Sequence, residues 1–338
     1  MRCVAMMKLS MMEKVVDTLD ENWKSPIAEM ILNRWEHTPG TVKYYRASAN
    51  FLFIFKKGED IYFLRINEAS ERTFYTVQSE IAILQDLNQY SLNVVQPIKS
   101  LDGNLVEEVQ TEVGTFYAVV FKKLKGRHKE LEDLAEEEFM RWGESLGNLH
   151  KAMKSVSEKH LHNRTNWKDQ LAFIKETVVE HDPVTERELH LVSDWLESLH
   201  ATKENYGLIH YDFELDNLCW TEDTINILDF DDCSGNWYVA DIAYALRDLF
   251  KEEIELEHPS FKAFIKGYQI KTDIDYELLQ QIEWFMRLHN LVTFAKLKRA
   301  VDGAPSHNKA EWLAGLSSKL MNVMDRYRTG FERTEKLT

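Results

Sequence analysis

The sequence predicts an α+β protein of two lobes, a small β-rich N-terminal lobe and a large, mostly helical C-terminal lobe. Two observations carry this prediction. Apolar runs with strand periodicity cluster between residues 44 and 121, and amphipathic helical patterns dominate from residue 128 onward. The chain of 338 residues is long enough for two lobes that each have a core.

The N-terminal lobe is predicted from a hairpin. Residues 50–55 and 61–66 are rich in aromatic and β-branched side chains, and the sequence Lys-Gly-Glu-Asp at 57–60 between them is typical of a turn. Further elements then complete an antiparallel sheet with one inserted helix. They are a helix over 72–87 and strands over 92–98 and 115–121.

A mostly helical extension is predicted ahead of this sheet, over residues 10–37. Its large apolar side chains recur at helical spacing, namely Trp23, Ile27, Ile31 and Trp35. The change of pattern after residue 121 sets the domain boundaries. Residues 1–121 form the N-terminal lobe with its extension, 122–127 the hinge and 128–338 the C-terminal lobe.

The C-terminal lobe is predicted to be helical with two β-like interruptions. The helical patterns lie at 134–154, 167–179, 186–200 and within the tail from 276 to 327. The interruptions lie at 206–220 and 225–230, where apolar residues flank short polar stretches. These two short segments therefore stand out as candidate functional loops.

Composition limits the class of partner. The formal net charge is −15, and this sign disfavours a general binder of nucleic acid or of anionic membrane. Acidity could also favour a cationic substrate, but solubility is the favoured explanation, because net charge bears on solubility before it bears on any site. Three cysteines form no paired framework, and we identify neither a signal peptide nor a membrane-spanning run. We therefore expect a cytoplasmic protein.

The two β-like segments carry an ordered set of polar residues. The first contains His210, Asp212 and Asn217 in an H-x-D-x-x-x-x-N arrangement between apolar stretches, and the second brings Asp229 after an apolar strand. A turn between the segments would hold Asn217 and Asp229 close together. Such a cluster suits phosphoryl transfer, in which one carboxylate receives the hydroxyl proton. An amide and a second carboxylate would hold Mg²⁺ on the ATP phosphates, because this ion prefers oxygen ligands. The alternative is that the two aspartates are ordinary turn or cap residues.

These motifs resemble those of the aminoglycoside phosphotransferase and choline kinase family. The resemblance rests on His210-Tyr211-Asp212-Phe213 with Asn217, on Ile227-Leu228-Asp229-Phe230-Asp231, and on Asp241-Ile242-Ala243. It implies the two-lobed protein-kinase-like fold, and it covers nearly the whole chain. Where family members often have Gly and Leu on either side of the loop aspartate, this chain has Tyr211 and Phe213.

The resemblance implies a role for each motif residue. Asp212 is the implied catalytic base, and Asn217 and Asp229 are the implied Mg²⁺ ligands. His210 is expected to brace the loop by hydrogen bonds. Asp241 is expected to tie down the segment after Asp229 and to cap a helix that begins near residue 242.

On the nucleotide side, the resemblance places Arg65 where the family has a phosphate-binding lysine, with Glu80 as its partner. Arginine keeps the charge, but its reach and geometry differ from those of lysine. An ordinary surface ion pair is the alternative. No G-x-G-x-x-G loop precedes the hairpin, so Ser48 and Asn50 in a short loop are expected near the phosphates. The adenine would contact the hinge near Val120 and Lys122.

The acceptor side has the weakest signal. Carboxylates near the catalytic segments and aromatic residues downstream suit a cationic amine, through ion pairs and cation–π contacts. The residues singled out are Glu214, Asp231, Trp237 and Trp284. The alternative is that the aromatic residues belong to the helix core and that the carboxylates are solvated.

The sequence therefore predicts an ATP-dependent kinase that transfers the γ-phosphate to a hydroxyl of a small molecule. The acceptors considered are an amino alcohol, a homoserine-like metabolite and an aminoglycoside-type antibiotic. Two other readings stay open, a Ser/Thr protein kinase-like regulator and a catalytically silent nucleotide-binding protein. Only eleven residues (230–240) separate Asp229 from Asp241, which favours a small acceptor over a protein.

Overall fold

A six-stranded antiparallel sheet forms the N-terminal lobe of the computed structural model, which describes residues 6–178, 182–250, 254–302 and 311–334. The strands are β1 (Lys43–Ala47), β2 (Phe51–Lys57), β3 (Asp60–Glu68), β4 (Pro97–Ile98), β5 (Glu107–Thr111) and β6 (Gly114–Lys122). The order is β1-β2-β3-β6, and β4 and β5 both pair with the outer edge of β6. The predicted hairpin is the β2–β3 pair.

The two faces of the sheet contact different parts of the protein, because side chains alternate between them along each strand. Phe51, Phe53 and Phe55 are buried on one face, against a helical extension made of α1 (Leu9–Val16) and α2 (Pro26–Leu32). Because neighbouring residues of a strand point to opposite faces, Arg65 lies on the other face. That face meets α3 (Phe74–Leu87), which carries Glu80.

Two predictions for this lobe are corrected. Trp23 is not on a helix; it is exposed and has a positive φ of 61°. It lies in the connection between α1, which ends at Val16, and α2, which begins at Pro26 after the capping residue Ser25. The predicted strand at 92–98 is a strand only at its last two residues. Its first part instead pairs with the C-terminal lobe, where the N–H of Val95 donates to the carbonyl of Ile227 at 2.9 Å.

The C-terminal lobe is helical around two small β-ribbons. One ribbon pairs β7 (Tyr206–Ile209) with β10 (Ser234–Trp237), and the other pairs β8 (Leu218–Trp220) with β9 (Ile225–Ile227). The helices are α4 (Glu136–His160), α5 (Trp167–Val178), α6 (Pro183–Ser198), α7 (Tyr238–Ala245), α8 (Pro259–Gln269), α9 (Tyr276–Leu279), α10 (Ile282–Val301) and α11 (Glu311–Thr334). Position 179, at the predicted end of α5, lies outside the described residues. The predicted two-lobed α+β fold is confirmed.

The connection between the lobes requires a glycine. After β6 the chain turns at Gly126, whose φ is 111°, and a β-carbon there would lie 2.6 Å from the carbonyl oxygen of Trp220. This close approach lets Arg127 and Trp220 exchange two backbone hydrogen bonds of 3.0 and 2.8 Å. The connection is thereby held against the β8–β9 ribbon.

Within the described ranges, no helix combines the length and the apolarity that crossing a membrane would require.

Candidate active site

The two β-ribbons place three polar side chains together at the cleft between the lobes. Leu218 pairs with Ile227, so Asn217 and Leu228 are adjacent, and the N–H of Leu228 donates to the carbonyl of Asn217 at 2.9 Å. The side-chain amide of Asn217 donates to Oδ2 of Asp212 at 2.9 Å. The predicted cluster is therefore assembled by strand pairing, with Asp229 one residue beyond Leu228.

Two residues in or next to this cluster have left-handed backbone conformations, which residues other than glycine seldom adopt. Tyr211 has a φ of 75° and Asp229 a φ of 57°. Such conformations persist where the surroundings hold them, and they concentrate at functional sites. At Tyr211 the restraint is Asp241, whose carboxylate accepts from the backbone N–H groups of Tyr211 at 2.7 Å and His210 at 2.8 Å.

This contact corrects the expectation for Asp241. It fixes the loop that carries Asp212, and not the segment after Asp229. It also lies inside the first turn of α7, which begins at Tyr238 rather than near residue 242. The sequence offered no signal for this, because the loop that Asp241 fixes lies thirty residues earlier.

Two buried histidines complete the support of the loop. Nε2 of His150 lies 2.8 Å from Oδ2 of Asp241, and its Nδ1 lies 2.8 Å from the hydroxyl of Tyr268. Burial lowers the pKa of His150, which favours the neutral ring with a proton on Nε2. Nε2 of His210 lies 2.9 Å from the carbonyl oxygen of Leu228, so this histidine links the loop of Asp212 to the segment that carries Asp229.

Asp212 is surrounded by positive charge. Nη1 of Arg247 lies 3.2 Å from its Oδ1. Burial alone would raise the pKa of Asp212, but the charges of Arg247 and Lys296 outweigh it and hold this pKa below its usual range. The carboxylate is therefore ionised at neutral pH and accepts hydrogen bonds.

Glu214, an expected acceptor-side residue, lies beside Asp212 and is paired. Nη2 of Arg247 donates to its Oε2. Burial and the negative charge of Asp212 raise the pKa of Glu214 to about 8. Arg247 thus connects the two carboxylates on the acceptor side of the cleft.

Arg65 and Glu80 form a buried, two-pronged ion pair. The distances are 2.9 Å from Nη1 to Oε1 and 2.5 Å from Nη2 to Oε2, and both side chains are almost fully buried. Nη1 of Arg65 also lies 3.9 Å from Oδ1 of Asp229. The surface-pair alternative is wrong, because the pair spans β3 and α3 at the cleft and orients the guanidinium toward Asp229.

The residues around Asp229 fit a divalent cation. Burial and the charge of Asp231 raise the pKa of Asp229 to about 7, so a bound cation would stabilise its ionised form. No group of three or more histidine, cysteine or acidic side chains among the described residues could hold a metal alone. Asn217 and Asp229 would therefore share the ion with phosphate oxygens, in keeping with the preference of Mg²⁺ for oxygen ligands.

A cavity of about 330 Å³ lies between the lobes next to this cluster. Its walls combine sheet residues such as Leu52 and Arg65, the connection from Phe121 to Gly126, and Asn217 with Asp229. Lys122 lines the cavity, while its Nζ pairs with Asp60 at 2.8 Å. Val120 does not line it, because its side chain is buried in the core on the other face of the sheet.

The short loop between β1 and β2 covers the inner end of the cleft. The side-chain amide of Asn50 donates to Oδ2 of Asp231 at 3.2 Å, and the carbonyl of Ser48 accepts from the N–H of Met7 at 3.1 Å. Asp231, expected on the acceptor side, instead forms a buried ion pair with Arg72. Burial would raise its pKa, but Arg72, 2.7 Å away, is the main charge that lowers this pKa to about 2.

The two tryptophans expected on the acceptor side lie away from the cluster. Trp237 is 1% exposed and packs edge-to-face on Tyr206, so it belongs to the core. Trp284 stacks on Trp195 with ring centroids 5.6 Å apart. Neither residue lines the cavity beside Asp229 or the one beside Asp212. For Trp237, the alternative that the aromatic residues belong to the core therefore holds.

Three cationic residues of the site were not predicted. Arg72 lies just before α3, Arg247 just after α7, and Lys296 on α10. The Nζ of Lys296 is 2.6 Å from Oδ2 of Asp232. None belongs to a local motif, and each reaches the site from a distant part of the chain. The only hint in the sequence was the surplus of carboxylates in the two β-like segments, which require cationic partners from elsewhere in the chain.

The fold and the cleft together define a two-lobed, kinase-like phosphotransferase. A family model described as "Phosphotransferase enzyme family" matches residues 46–277. The chain belongs to this family. The family resemblance expected from the sequence is therefore confirmed.

Individual relatives agree in fold. The chain is 26% identical over 301 residues to amicoumacin kinase of Bacillus subtilis (strain 168), covering 86% of this chain and 89% of that protein. Among solved structures it is similar to an amicoumacin kinase in complex with AMP-PNP, Ca²⁺ and Ami. The TM-score is 0.73 at 22% identity, with 93% of this chain and 96% of that chain covered. A microcompartment-associated aminopropanol kinase gives a TM-score of 0.70 at 20% identity, covering 92% and 97%.

Proposed function

We propose that this protein transfers the γ-phosphoryl group of ATP, with Mg²⁺, to a hydroxyl of a small cationic molecule. The observation that carries the proposal is the grouping of Asp212, Asn217 and Asp229. Asn217 and Asp229 line the 330 Å³ cavity together with the Arg65–Glu80 pair, and Asn217 donates a hydrogen bond to Asp212. This arrangement has the parts that phosphoryl transfer needs, because the protein's main task in that reaction is positioning and electrostatic stabilisation.

Asp212 acts on the acceptor. Its carboxylate is ionised and fixed by Asn217 and Arg247, so it can accept a hydrogen bond from the incoming hydroxyl and orient its oxygen. A carboxylate of low pKa is a weak base. The proton therefore moves to Asp212 late, once bonding to phosphorus has made the hydroxyl acidic.

Asn217, Asp229 and Arg65 act on the donor. Asn217 and Asp229 would hold Mg²⁺, which neutralises charge on the ATP phosphates when bound. Arg65 would donate to phosphate oxygens, while Glu80 keeps its fork in place through two hydrogen bonds. The hinge connection and the sheet would enclose the adenine and ribose.

A small acceptor fits better than a protein. Residues 230–240 after Asp229 are buried apart from one partly exposed position, and they continue directly into β10 and α7. This segment offers no platform on which a peptide could lie. Among the described residues, the wall of the cavity that contains Asp212 holds four aspartates and one lysine, which supports an acceptor that carries an amine.

The test is acceptor-dependent release of ADP from Mg-ATP. The panel starts with amicoumacin, aminopropanol and spectinomycin, which occur in the names of similar proteins, and extends to homoserine, choline and aminoglycosides. Each primary or secondary amine is compared with its N-acetylated form, which should react more slowly because it is neutral. If no compound in the panel stimulates ADP release, the proposal is wrong for this class of acceptor.

Two variants assign the chemistry. Asp212→Asn should abolish transfer and leave the affinity for Mg-AMP-PNP within about threefold, because Asp212 lies on the acceptor side. Asp223→Asn is the matched control, since Asp223 is exposed in the turn between β8 and β9. Transfer that survives in Asp212→Asn would refute the assigned role of Asp212.

We also propose that the enzyme works in the reducing cytoplasm. Cys219 and Cys233 are both buried and unpaired thiols. Fractionation of cells that express the natural gene would check this, and recovery with secreted or envelope proteins would contradict it.

A further inference from the structure

Lys296 faces a second, smaller cavity at the centre of the cleft. This cavity measures about 220 Å³ and is lined by the loop at 48–50, by Asp212, Asp229, Asp231 and Asp232, and by Lys296. Its wall shares Asn50 and Asp229 with the larger nucleotide cavity. It also contains Asp212, the residue that orients the acceptor. The γ-phosphate and the acceptor hydroxyl would therefore meet here.

The ammonium group of Lys296 is held in a defined position. Its Nζ lies 2.6 Å from Oδ2 of Asp232 and 5.0 Å from the centre of the Tyr211 ring. The side chain is 17% exposed, so it is mostly shielded from bulk water. A lysine that is anchored on two sides loses little further freedom when a ligand arrives.

The charge distribution explains why a cation is needed at this place. Arg65 and the metal ligands Asn217 and Asp229 act from the donor side of the phosphoryl group. Among the described residues that line the smaller cavity, Lys296 is the cationic one and four are aspartates. The transferring phosphoryl group carries charge on three outer oxygens, and fixed positive groups around it lower the barrier.

We propose that Lys296 is a catalytic residue that donates a hydrogen bond to a non-bridging oxygen of the transferred phosphoryl group. This inference rests on the proposed function. In the step, the acceptor oxygen bonds to phosphorus, and the bond from phosphorus to the bridging oxygen of ADP breaks with its electron pair left on ADP. The hydroxyl proton goes to Asp212. Lys296 keeps all its protons throughout and interacts more strongly as charge builds up on the phosphoryl oxygens.

A purely structural role is the competing explanation, in which Lys296 only neutralises Asp232. The two explanations differ in what they predict for bound nucleotide. A structural lysine would affect folding and every ligand alike. A catalytic lysine would affect the transition state most, because binding that is stronger there than in the ground state is what accelerates the reaction.

The experiment compares Lys296→Met, Lys296→Arg and the matched control Lys298→Met. Lys298 lies on the same helix, and its Nζ is 3.9 Å from Asp302, outside both cavities. The readouts are melting temperature, affinity for Mg-AMP-PNP, affinity for Mg-ADP with aluminium fluoride as a mimic of the transferring group, and kcat with an acceptor found in the panel.

For Lys296→Met we expect kcat and aluminium fluoride binding to fall by about 100- to 1000-fold, the usual effect of losing one such donor. Affinity for Mg-AMP-PNP should stay within about threefold, and Lys296→Arg should recover part of kcat because it keeps the charge. Lys298→Met should match the wild type.

Two results would overturn the inference. One is a Lys296→Met variant whose kcat and aluminium fluoride binding equal those of the wild type. The other is a variant that loses melting temperature and affinity for all ligands to the same degree. A wild type without any acceptor-dependent turnover contradicts the proposed function itself, so the two failures are distinguishable.

Discussion

Nη1 of Arg247 lies 3.2 Å from Oδ1 of Asp212, and the same guanidinium contacts Glu214 through Nη2. One arginine thus fixes the carboxylate that would orient the acceptor and the carboxylate beside it. Arg247 does not line the cavity assigned to the nucleotide. Its effects should therefore separate from those of the nucleotide-binding residues.

Replacing Arg247 should impair transfer but not nucleotide binding. We expect Arg247→Met to lower kcat by about 10- to 100-fold, because Asp212 loses a charged hydrogen bond worth about 1.5–3 kcal/mol. Affinity for Mg-AMP-PNP, measured by calorimetry, should remain close to that of the wild type. Arg247→Lys keeps the charge and should be less impaired; equal loss in both variants would point to the fork geometry rather than the charge.

The Arg65–Glu80 pair should show a stability effect and a binding effect that can be separated. Arg65→Met leaves Glu80 buried without its partner, which should cost about 3–5 kcal/mol of unfolding free energy. The double variant Arg65→Met with Glu80→Leu should recover much of that loss in denaturant titrations. It should not recover ATP affinity, because the buried guanidinium of Arg65 beside Asp229 is still missing; full recovery of binding would contradict the role of Arg65.

Removing the charge of Asp241 should loosen the catalytic loop. Asp241→Asn replaces one carboxylate oxygen with an amide that cannot accept from a backbone N–H. We expect a loss of about 3 kcal/mol in unfolding free energy and a lower kcat, since the left-handed Tyr211 loses a restraint. Asp273→Asn, at an exposed position, is the control and should leave both quantities unchanged.

His150 should make stability depend on pH. Burial lowers its pKa in the folded state, so the unfolded chain binds the extra proton and stability is lost as pH falls through the unfolded value of about 6.5. Glu214 and Asp229, whose pKa values are raised, act in the opposite direction. The measurement is therefore the difference between wild type and His150→Gln in denaturant titrations from pH 8 to 5.

That difference should change with pH by up to about 1.4 kcal/mol per unit below pH 6.5, in the sense that the wild type loses more. Gln can still donate to Asp241 but cannot titrate, which makes it a matched replacement. A difference that is constant across this range would mean that His150 has the same pKa in the folded and unfolded states.

The local elements of the site were readable from the sequence. The hairpin, the helix carrying Glu80 and the two β-like segments follow from residue periodicity, which local backbone geometry enforces. The proximity of Asp212, Asn217 and Asp229 was readable too, because a single turn joins the two short paired strands that carry Asn217 and Asp229; their catalytic roles stay a prediction. Trp23 was misassigned, since helical spacing alone does not reveal that a cap at Ser25 starts a new helix.

The partners of these residues were decided by tertiary structure. Asp241 reaches back to Tyr211, Asp231 pairs with Arg72, and Lys296 arrives from a helix that follows both β-ribbons. Periodicity says which face a side chain occupies, but it does not say which distant element that face meets. The sequence alone therefore determined the fold class and the proximity of Asp212, Asn217 and Asp229, because these depend on local relations along the chain. Only the packing of distant elements determined which charges surround those groups, because charges act through space and not along the chain.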